Sequence, residues 1–231
     1  MGGNYDEQSR FASNSVFGNK LSQVRSTKDR PQPRQTGSTQ AWEGLVQAGA
    51  AGGAAAVGAR QSDDDIEKLA LFDAMTGLYN SRTFMRQLSY ELKRGMRYKR
   101  PVAVLMVSID WLDNLVQQNG EMAGDHVRKL VSAELNGTVR DVDFAARYSA
   151  REFAALLPET NANGATVVAE RLRKRVSGKT VNIGSETLRV TVSIGIAAFP
   201  AHGREPAELI TRGLQALEIA VQRGGDRHCT M

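Results

Sequence analysis

The residue pattern with the clearest chemical potential in this sequence is an arginine followed three positions later by an aspartate. It occurs at Arg60 to Asp63, at Arg140 to Asp143 and at Arg223 to Asp226. A guanidinium donates paired hydrogen bonds to neighbouring acceptors, and a carboxylate beside it accepts hydrogen bonds in return. Such a pair can bind the polar edge of a ligand, but the spacing alone does not single out one of the three copies.

Metal-ligating and nucleophilic patterns are weak by comparison. The three histidines, His126, His202 and His228, stand far apart without the spacing of a metal site, and Cys229 is the single cysteine. One cysteine excludes an internal disulfide framework and a cysteine-based zinc site. We therefore predict no metal site and no resident cofactor.

The composition is that of a mildly basic chain of one or two domains. The 231 residues are 41% hydrophobic, and 30 Lys and Arg against 25 Asp and Glu give a net charge of +5. We find no secretion signal and no strongly apolar run of the ~20 residues that a membrane span needs. A single cysteine suits a reducing compartment, so we expect a cytoplasmic protein without membrane insertion. Nucleic acid is not an expected partner, because no stripe of interleaved basic and aromatic residues is evident.

Residues 1–61 differ in composition from the rest of the chain. They are rich in Ser, Gln, Gly and Arg, and they hold seven Lys and Arg against four acids. Such a segment buries too little apolar surface to offset its chain entropy. We predict a disordered tail over 1–61 that contacts a protein partner, and a folded domain over 62–231. A short amphipathic helix from Phe11 to Val24 that binds a partner is the alternative within the tail.

From Ser62 onward, apolar periodicity predicts alternating helices and strands. The continuous apolar run Val102 to Ile109 is typical of a strand covered on both faces, and the β-branched run Leu188 to Ala198 predicts one long strand. Two shorter runs, Phe144 to Tyr148 and Glu152 to Leu157, predict a hairpin. Helices are predicted from Ser62 and over Ser81 to Tyr98, Gly124 to Leu135, Asn163 to Val176 and Pro206 to Arg223. From Pro101 this order predicts a mixed α/β (α+β) fold with a ferredoxin-like βαββαβ core.

Several strings in this order resemble motifs of the GGDEF domain, the diguanylate cyclase family. Asp73 to Asn80 is similar to its opening motif D-x-L-T-G-L-x-N, and Gly120 to Asp125 is similar to G-H-x-x-G-D. Arg147 to Phe153 stands where the family has R-x-G-G-D-E-F, with Ser-Ala-Arg-Glu-Phe in place of the signature. Ala169 to Arg173 and Val190 to Gly195 resemble its later helix and strand. The resemblance covers about residues 62–227 and implies the palm-type fold of the nucleotidyl cyclases.

Family members with the full motif join two GTP molecules into cyclic di-GMP with Mg²⁺. A divalent cation held by carboxylates serves the attacking hydroxyl and the triphosphate, and glycines at the hairpin tip let the backbone approach the nucleotide. This sequence departs from the family at the metal carboxylates, the tip glycines, the phosphate lysine and the guanine-contacting asparagine. By resemblance, Ser108 and Arg151 stand at the positions of the metal carboxylates, and Ser149 and Ala150 stand at those of the tip glycines. Asp113 stands at the position of the phosphate lysine, and Val116 at that of the guanine-contacting asparagine. Acidic residues of the family pattern are retained at Asp110, Asp125 and Glu152.

These departures predict a domain without cyclase activity. Arg151 places a cation where a metal carboxylate is needed, and a guanidinium within ~4 Å of a divalent ion repels it strongly. We therefore expect no Mg²⁺ at this site. For Trp111, beside the former active site, two roles stay open: filling the emptied nucleotide pocket, or packing in the core.

Position then gives weight to one of the three Arg-x-x-Asp pairs. Many family members carry an inhibitory product site of this pattern just before the signature hairpin, and Asp143 precedes Ser149 by the family's usual six positions. By resemblance, Arg140 and Asp143 bind a guanine, Arg171 supplies a third contact, and Arg94 supplies a contact across a domain pair. An arginine fork donates to O6 and N7 of guanine. The predicted ligand is therefore cyclic di-GMP, with ligand-driven homodimerisation.

Three functions stay open at this point. The first is a cyclic di-GMP receptor that relays to a protein partner. The second is a protein-interaction scaffold that binds no nucleotide, in which Arg140 and Asp143 form a turn-stabilising surface ion pair worth ~0–1 kcal/mol. The third is a GTP-binding regulatory domain, and the loss of the family's asparagine and lysine at Val116 and Asp113 argues against it.

Overall fold

Strand β2 (Val102–Ile109) lies inside the central sheet and is buried along almost its whole length. Helices cover both of its faces, which explains why the strand shows no alternation of polar and apolar residues. The computed structural model describes residues 70–183 and 186–231. The predicted tail, with its alternative helix from Phe11 to Val24, and residues 62–69 of the predicted first helix lie outside the described residues.

The central sheet contains β2 and five further strands. Their bounds are β1 Tyr79–Asn80, β3 Phe144–Arg147, β4 Glu152–Pro158, β7 Val192–Phe199 and β8 His228–Thr230. The strand order is β1-β3-β4-β2-β7-β8. β2 pairs antiparallel with β4 and β7, and β3 pairs antiparallel with β4, which gives the predicted ferredoxin-like core. The short edge strands β1 and β8 pair in parallel with β3 and β7.

Helices cover the sheet on both faces. The described helices are α1 Ser81–Tyr98, α2 Leu112–Asn119, α3 Glu121–Thr138, α4 Ala162–Ser177 and α5 Pro206–Gln222. Val131 of α3 and Leu172 of α4 share one buried cluster with Leu105 of β2. On the other face, α5 packs with α1, and the Met106 side chain of β2 faces Gly213 of α5. None of the helices in the described ranges has the length and apolarity needed to cross a bilayer.

The prediction of one strand from Leu188 to Ala198 is wrong. The run is interrupted at Val190 and Thr191. Residues before the interruption belong to a separate two-stranded sheet, formed by β5 (Thr180–Ile183) and β6 (Glu186–Arg189). β-Branched residues suit either sheet, so the sequence run carries no mark of the boundary.

Other differences concern short elements. The sequence predicted one helix from Gly124 to Leu135, whereas the structure has the eight-residue α2 and then the longer α3. The edge strands β1 and β8 have two and three residues, which is too short to produce a recognisable period.

Helix α1 has the bounds that the sequence predicted, and its two ends explain them. The Asn80 side chain accepts a hydrogen bond from the Thr83 N–H at 2.9 Å, which caps the first turn. At the other end Lys99 adopts a left-handed conformation with φ 52°. The chain therefore leaves the helix immediately before β2 begins.

The exposed surface of α1 carries a stripe of four cations and one tyrosine that the sequence analysis did not single out. Arg82, Arg86, Tyr90, Lys93 and Arg97 are all exposed. Steps of three and four positions separate them, which places them on one side of the helix. We call these five residues the α1 basic face. Buried residues lie between them in the sequence, so the stripe becomes evident only once the helix is formed.

The crossing of β7 and α5 leaves no room for an added methyl group. A Cβ atom on Gly195 would overlap the Gly213 carbonyl oxygen and lie 2.9 Å from Leu217 Cα. We expect Gly195→Ala to lower the free energy of unfolding by about 3 kcal/mol, because the helix backbone must move. Urea unfolding measures the change. The control is Gly137→Ala in α3, which meets only the flexible end of Arg175 and gains up to ~1 kcal/mol of helix propensity. Equal midpoints for the two variants would contradict the packing argument.

Candidate functional site

A serine side chain closes the tip of the β3–β4 hairpin. Ser149 Oγ accepts hydrogen bonds from the backbone N–H groups of Arg151 and Glu152, each at 3.0 Å. The same hydroxyl donates to the Glu152 carboxylate. Next to it, the exposed Ala150 adds a Cβ atom at the tip. The tip is therefore held by side-chain hydrogen bonds where the family pattern has two glycines.

An ion pair joins this tip to the start of α2. Arg151 Nη2 lies 3.2 Å from Asp113 Oδ2, and the two side chains are 67% and 64% exposed. Such an exposed pair contributes only ~0–1 kcal/mol of stability. It nevertheless decides which charges face the cleft: a cation from the hairpin and an anion from the helix.

Asp110, directly after β2, is a hydrogen-bonding hub. Its carboxylate accepts from Thr191 Oγ1 at 2.8 Å, from Ser193 Oγ at 2.6 Å and from the Asp226 backbone N–H at 2.9 Å. Gly225 packs against it, with φ 72° and room for no Cβ, since that atom would lie 2.9 Å from Asp110 Cγ. The carboxylate thus attaches the chain that follows α5 to the central sheet.

Asp110, Gly225 and the Arg151–Asp113 pair border a cleft of about 280 Å³. Ser108 lines its floor at the end of β2, and Trp111 lines its rim. Trp111 is 74% exposed and has a left-handed backbone with φ 58°. The core alternative for this residue is therefore wrong, and so much exposure shows that the indole does not fill the pocket.

Asp73 organises the segment before β1. Its Oδ1 accepts from the Thr76 N–H at 2.9 Å and from Thr76 Oγ1 at 2.7 Å, and Arg147 Nη1 lies 3.2 Å from its Oδ2. Burial opposes ionisation, but the hydrogen bonds from Thr76 and the Arg147 guanidinium outweigh it and lower the pKa of Asp73. Because Arg147 ends β3, this ion pair joins the opening motif to the hairpin.

Asp125 is paired within α3. Arg128 Nη1 donates to Asp125 Oδ1 at 2.8 Å and to Glu121 Oε1 at 2.6 Å. The Asp125 side chain is still 43% exposed. This acid therefore faces the surface near the start of α3 with one cation already beside it.

Asp143 shapes the turn before β3. Its carboxylate accepts from the Arg140 backbone N–H at 2.7 Å, and its own N–H donates to the Arg140 carbonyl at 3.0 Å. Asp143 is 2% exposed, whereas Arg140 is exposed. The aspartate thus holds the turn through the backbone of Arg140, and the turn presents the guanidinium at the surface.

Arg171 of α4 reaches the same region. Its Nη2 donates to the Thr138 carbonyl at 2.7 Å, two residues before Arg140. Further along the two helices, Arg175 of α4 donates to Glu134 of α3 at 2.8 Å, so α3 and α4 run antiparallel. The Arg171 guanidinium therefore lies beside the turn that begins at Arg140.

The same helix is tied to the C-terminal segment. Arg173 donates to both carboxylate oxygens of Glu170 and to Asp226 Oδ1, in each case at 2.8 Å. The hydrogen bonds from Arg173 lower the pKa of Glu170 to about 2, so this carboxylate stays ionised at neutral pH. Since the Asp226 N–H donates to Asp110, the network connects α4 with the hub.

Arg94 lies away from the Arg140 turn and from Arg171. It lies on α1, on the sheet face opposite α4. Its guanidinium lies 3.0 Å from Glu91 and 2.7 Å from Glu159. Burial raises the pKa of Glu91 even with the Arg94 cation beside it. Within one domain, the structure brings Arg140, the turn and Arg171 together and leaves Arg94 apart from them.

Comparison with known families matches residues 70–227 to the GGDEF domain of diguanylate cyclases. This chain belongs to the GGDEF family. The response regulator PleD of Caulobacter vibrioides is 36% identical over 167 residues, which cover 71% of this chain and 37% of PleD. Diguanylate cyclase DgcP of Pseudomonas aeruginosa is 34% identical over 165 residues, which cover 71% of this chain and 24% of DgcP. The chain thus spans well under half the length of these curated relatives.

Solved structures agree with this assignment. The GGDEF domain of DgcB from Caulobacter crescentus, solved in complex with cyclic di-GMP, superposes with a TM-score of 0.66 at 25% identity. The match covers 70% of this chain and 93% of the DgcB domain. The mixed α/β fold is therefore that of a GGDEF domain.

The cleft of this GGDEF domain does not fit the divalent cation of the family reaction. Ser108 and Arg151 offer a hydroxyl and a guanidinium where carboxylates are needed, and three donors already occupy the Asp110 oxygens. Hard cations such as Mg²⁺ take oxygen ligands, usually carboxylates. Across 70–183 and 186–231, no three acidic, histidine or cysteine side chains come together as a metal site.

The positions that the family resemblance assigns to nucleotide contacts also differ from the family pattern. The GGDEF pattern has an acid on the hairpin and a lysine on the helix. This chain has the cation Arg151 on the hairpin and the acid Asp113 on the helix. At the position of the guanine-contacting asparagine, Val116 packs against the hydrophobic core. Its Cγ2 would lie 2.5 Å from a Cβ at Gly124, so the site is closely filled there.

Sequence reasoning missed the role of Asp110, which it counted only as a retained acid. A usable signal was present. Thr191 and Ser193 stand at alternate positions of a largely apolar run, and hydroxyls on one side of a buried strand indicate a buried polar partner. The link from Arg173 to Asp226 had no such signal, because it joins residues 53 positions apart.

We expect Asp110→Ala to detach the chain after α5 from the sheet. The substitution leaves the Thr191 and Ser193 hydroxyls and one backbone N–H without their acceptor, which costs about 2 kcal/mol or more. Asp113→Ala, three positions away, removes only an exposed ion pair and is expected to cost less than ~1 kcal/mol. Amide hydrogen exchange over residues 226–230 separates the two. Faster exchange confined to Asp110→Ala is expected, and similar exchange in both variants would contradict the hub.

Proposed function

We propose that this GGDEF domain is catalytically inactive and acts as a receptor for cyclic di-GMP at the surface around Arg140. The observation that carries the proposal is a contrast between two places in the fold. The cleft pairs Arg151 with Asp113 and surrounds Asp110 with hydrogen-bond donors. The turn before β3, in contrast, presents Arg140 at the surface beside Arg171.

The charges of the cleft support the loss of catalysis. Cyclase chemistry requires a divalent cation against a triphosphate, and the Arg151 guanidinium repels that cation. Ser108 supplies a neutral hydroxyl in place of a carboxylate. Asp113 adds negative charge where the phosphates need a cation. All three changes act against Mg²⁺-GTP, so we infer that the domain does not turn over GTP.

The donors around the turn support binding of a guanine dinucleotide. An exposed guanidinium such as Arg140 can donate two parallel hydrogen bonds to O6 and N7 of guanine. A guanidinium has five N–H donors, so Arg171 keeps several after its bond to Thr138. Its charge suits a phosphate. Asp143 is buried, so its part in the proposal is to hold the turn that orients Arg140 toward the ligand.

Arg94 enters the proposal through a second copy of the domain. Its position on the other sheet face favours a contact with ligand that a neighbouring domain holds. Its ion pairs with Glu91 and Glu159 would then be exchanged for the ligand phosphate. We therefore infer a ligand-driven homodimer. Relay to a protein partner falls to residues 1–61, whose composition suits an extended binding segment.

A protein-interaction scaffold that binds no nucleotide is the second candidate. Val142, within the turn, is 61% exposed, and Val167, one helical turn before Arg171, is 66% exposed. Exposed apolar side chains such as these suit a protein contact. Binding of cyclic di-GMP at Arg140 distinguishes the receptor from this scaffold.

We expect the purified full chain to form no cyclic di-GMP from GTP with Mg²⁺ or Mn²⁺. The physical reason is the cation at Arg151, which disfavours metal binding in the cleft. Product is measured by chromatography, with an active GGDEF cyclase as positive control. Product formation that disappears in Glu152→Ala would locate turnover in this cleft and would contradict the inactive assignment.

Calorimetric titration tests the receptor role. We expect cyclic di-GMP to bind with micromolar or better affinity, and Arg140→Ala to weaken binding by about 10- to 100-fold, the discrimination expected of one bidentate base contact. Arg171→Ala is expected to cost less, about fivefold, because it supplies phosphate attraction at an exposed site. GTP is expected to release no heat, since Val116 and Asp113 remove its base and phosphate contacts.

The matched control is Lys174→Ala, which removes an exposed cation of α4 three positions from Arg171. It is expected to bind the ligand as the unchanged chain does. Thermal melting of each variant verifies its fold. An absence of heat with cyclic di-GMP would favour the scaffold, and equal or reversed losses at Arg140 and Arg171 would show that their assigned roles are wrong.

A further inference from the structure

The net positive charge of the described chain is concentrated on one helix. Residues 81–100, which are α1, its C-terminal cap and the residue that follows, hold seven Lys and Arg and a single acid, Glu91. Their net charge is +6, whereas the remaining residues from 70 to 231 sum to −1. Glu91 is buried and paired with Arg94, so it does not offset the outer surface. One side of the domain is thus strongly basic on an otherwise neutral body.

Within residues 70–183 and 186–231, three cations of the α1 basic face pair with no acid. Arg82, Lys93 and Arg97 form no ion pair with any acid of the described residues, although all three are exposed. These three like charges along one helix repel one another unless an external anion neutralises them. The receptor proposal uses only Arg94 of this helix, so the other cations have no role in it.

We propose that the α1 basic face binds the surface of an anionic lipid bilayer. The helix has 18 residues, which corresponds to a length of about 27 Å. Along it the cations are spaced by about 6 Å per helical step of four residues. A straight, convex row of cations suits an extended layer of phosphate headgroups, and each basic residue near such a layer contributes ~1 kcal/mol.

The apolar residues of α1 define how it meets the lipid. Its opposite face, with Phe84, Leu88 and Leu92, is buried in the core, so the helix does not insert as a free amphipathic helix would. Tyr90 and Tyr98 are 48% and 59% exposed at the outer surface. Tyrosine is enriched at the level of the headgroups. Binding is therefore peripheral and chiefly electrostatic.

A nucleic acid fits this surface less well. Proteins that hold single strands combine a basic groove with several aromatic rings on which bases stack. The α1 basic face is convex and has one ring, Tyr90, between its cations, while the Tyr98 ring already carries the Arg97 guanidinium 5.5 Å from its centroid. The observations thus favour a lipid surface, and nucleic acid binding becomes an outcome of the test.

Vesicle co-sedimentation of the full chain tests the proposal. We expect binding to phosphatidylcholine vesicles that contain phosphatidylglycerol, none to phosphatidylcholine alone, and a steep loss as salt is raised. The triple variant Arg82→Gln, Lys93→Gln and Arg97→Gln is expected to bind about 100-fold more weakly, from the loss of three cations near the lipid. Glutamine keeps the helix propensity high, and thermal melting verifies the fold.

The control variant removes three exposed cations from other surfaces, with Lys129→Gln, Arg204→Gln and Arg223→Gln. It lowers the net charge by the same amount and is expected to bind vesicles nearly as the unchanged chain does. Equal losses in both variants would show that only net charge matters and would overturn the proposal. Binding to a single-stranded oligonucleotide without binding to vesicles would also overturn the proposal. Cyclic di-GMP titration is expected to be unchanged in both variants, so a failure here is distinguishable from a failure of the receptor role.

Discussion

The Asp110 carboxylate determines how the cleft end of this domain is arranged. It stands where the central strand ends, and it collects two hydroxyls from the neighbouring β7 segment and one N–H from the chain after α5. That N–H belongs to Asp226, whose side chain turns outward to Arg173 of α4. β8 can then add to β7 directly afterwards. A carboxylate engaged in this way has little capacity left for a metal ion, so its structural use competes with a catalytic one.

The exchange of charges between hairpin and helix has a consistent physical consequence. The family pattern places an acid on the hairpin and a lysine on α2, and this chain places Arg151 and Asp113 there. Either arrangement keeps opposite charges on the two elements, so the attraction between them persists. The electrostatic field that a ligand meets is reversed, because the hairpin now repels a metal ion and the helix repels a phosphate. Either substitution alone would place like charges on the two elements, because Arg151 would face the family's lysine, or Asp113 would face the family's acid.

The sequence predicted the elements whose signals are local and long. The apolar run of β2 and the periodicity of α1 gave correct bounds, because burial on two faces and a capped amphipathic helix each leave a pattern in the chain. The break between β6 and β7 left none, because β-branched residues suit both sheets. At the site, the resemblance gave the aligned positions. It did not give the Asp110 hub or the bond from Arg171 to Thr138, which join residues far apart in the sequence.

The cleft and the Arg140 turn lie at opposite ends of the sheet, so substitutions at one of them need not disturb the other. Ser108 of β2 pairs with Glu152 at the hairpin end, whereas Val102 pairs with Pro158 at the far end. The Arg140 turn enters β3 at Phe144, opposite Leu156, and so belongs to that far end. The seven residues of β4 separate the two by about 20 Å. Over that distance exposed charges are largely screened, so the charge reversal in the cleft leaves the field at the turn almost unaffected. A domain of this fold can therefore lose the chemistry of one end while the donors at the other end keep their geometry.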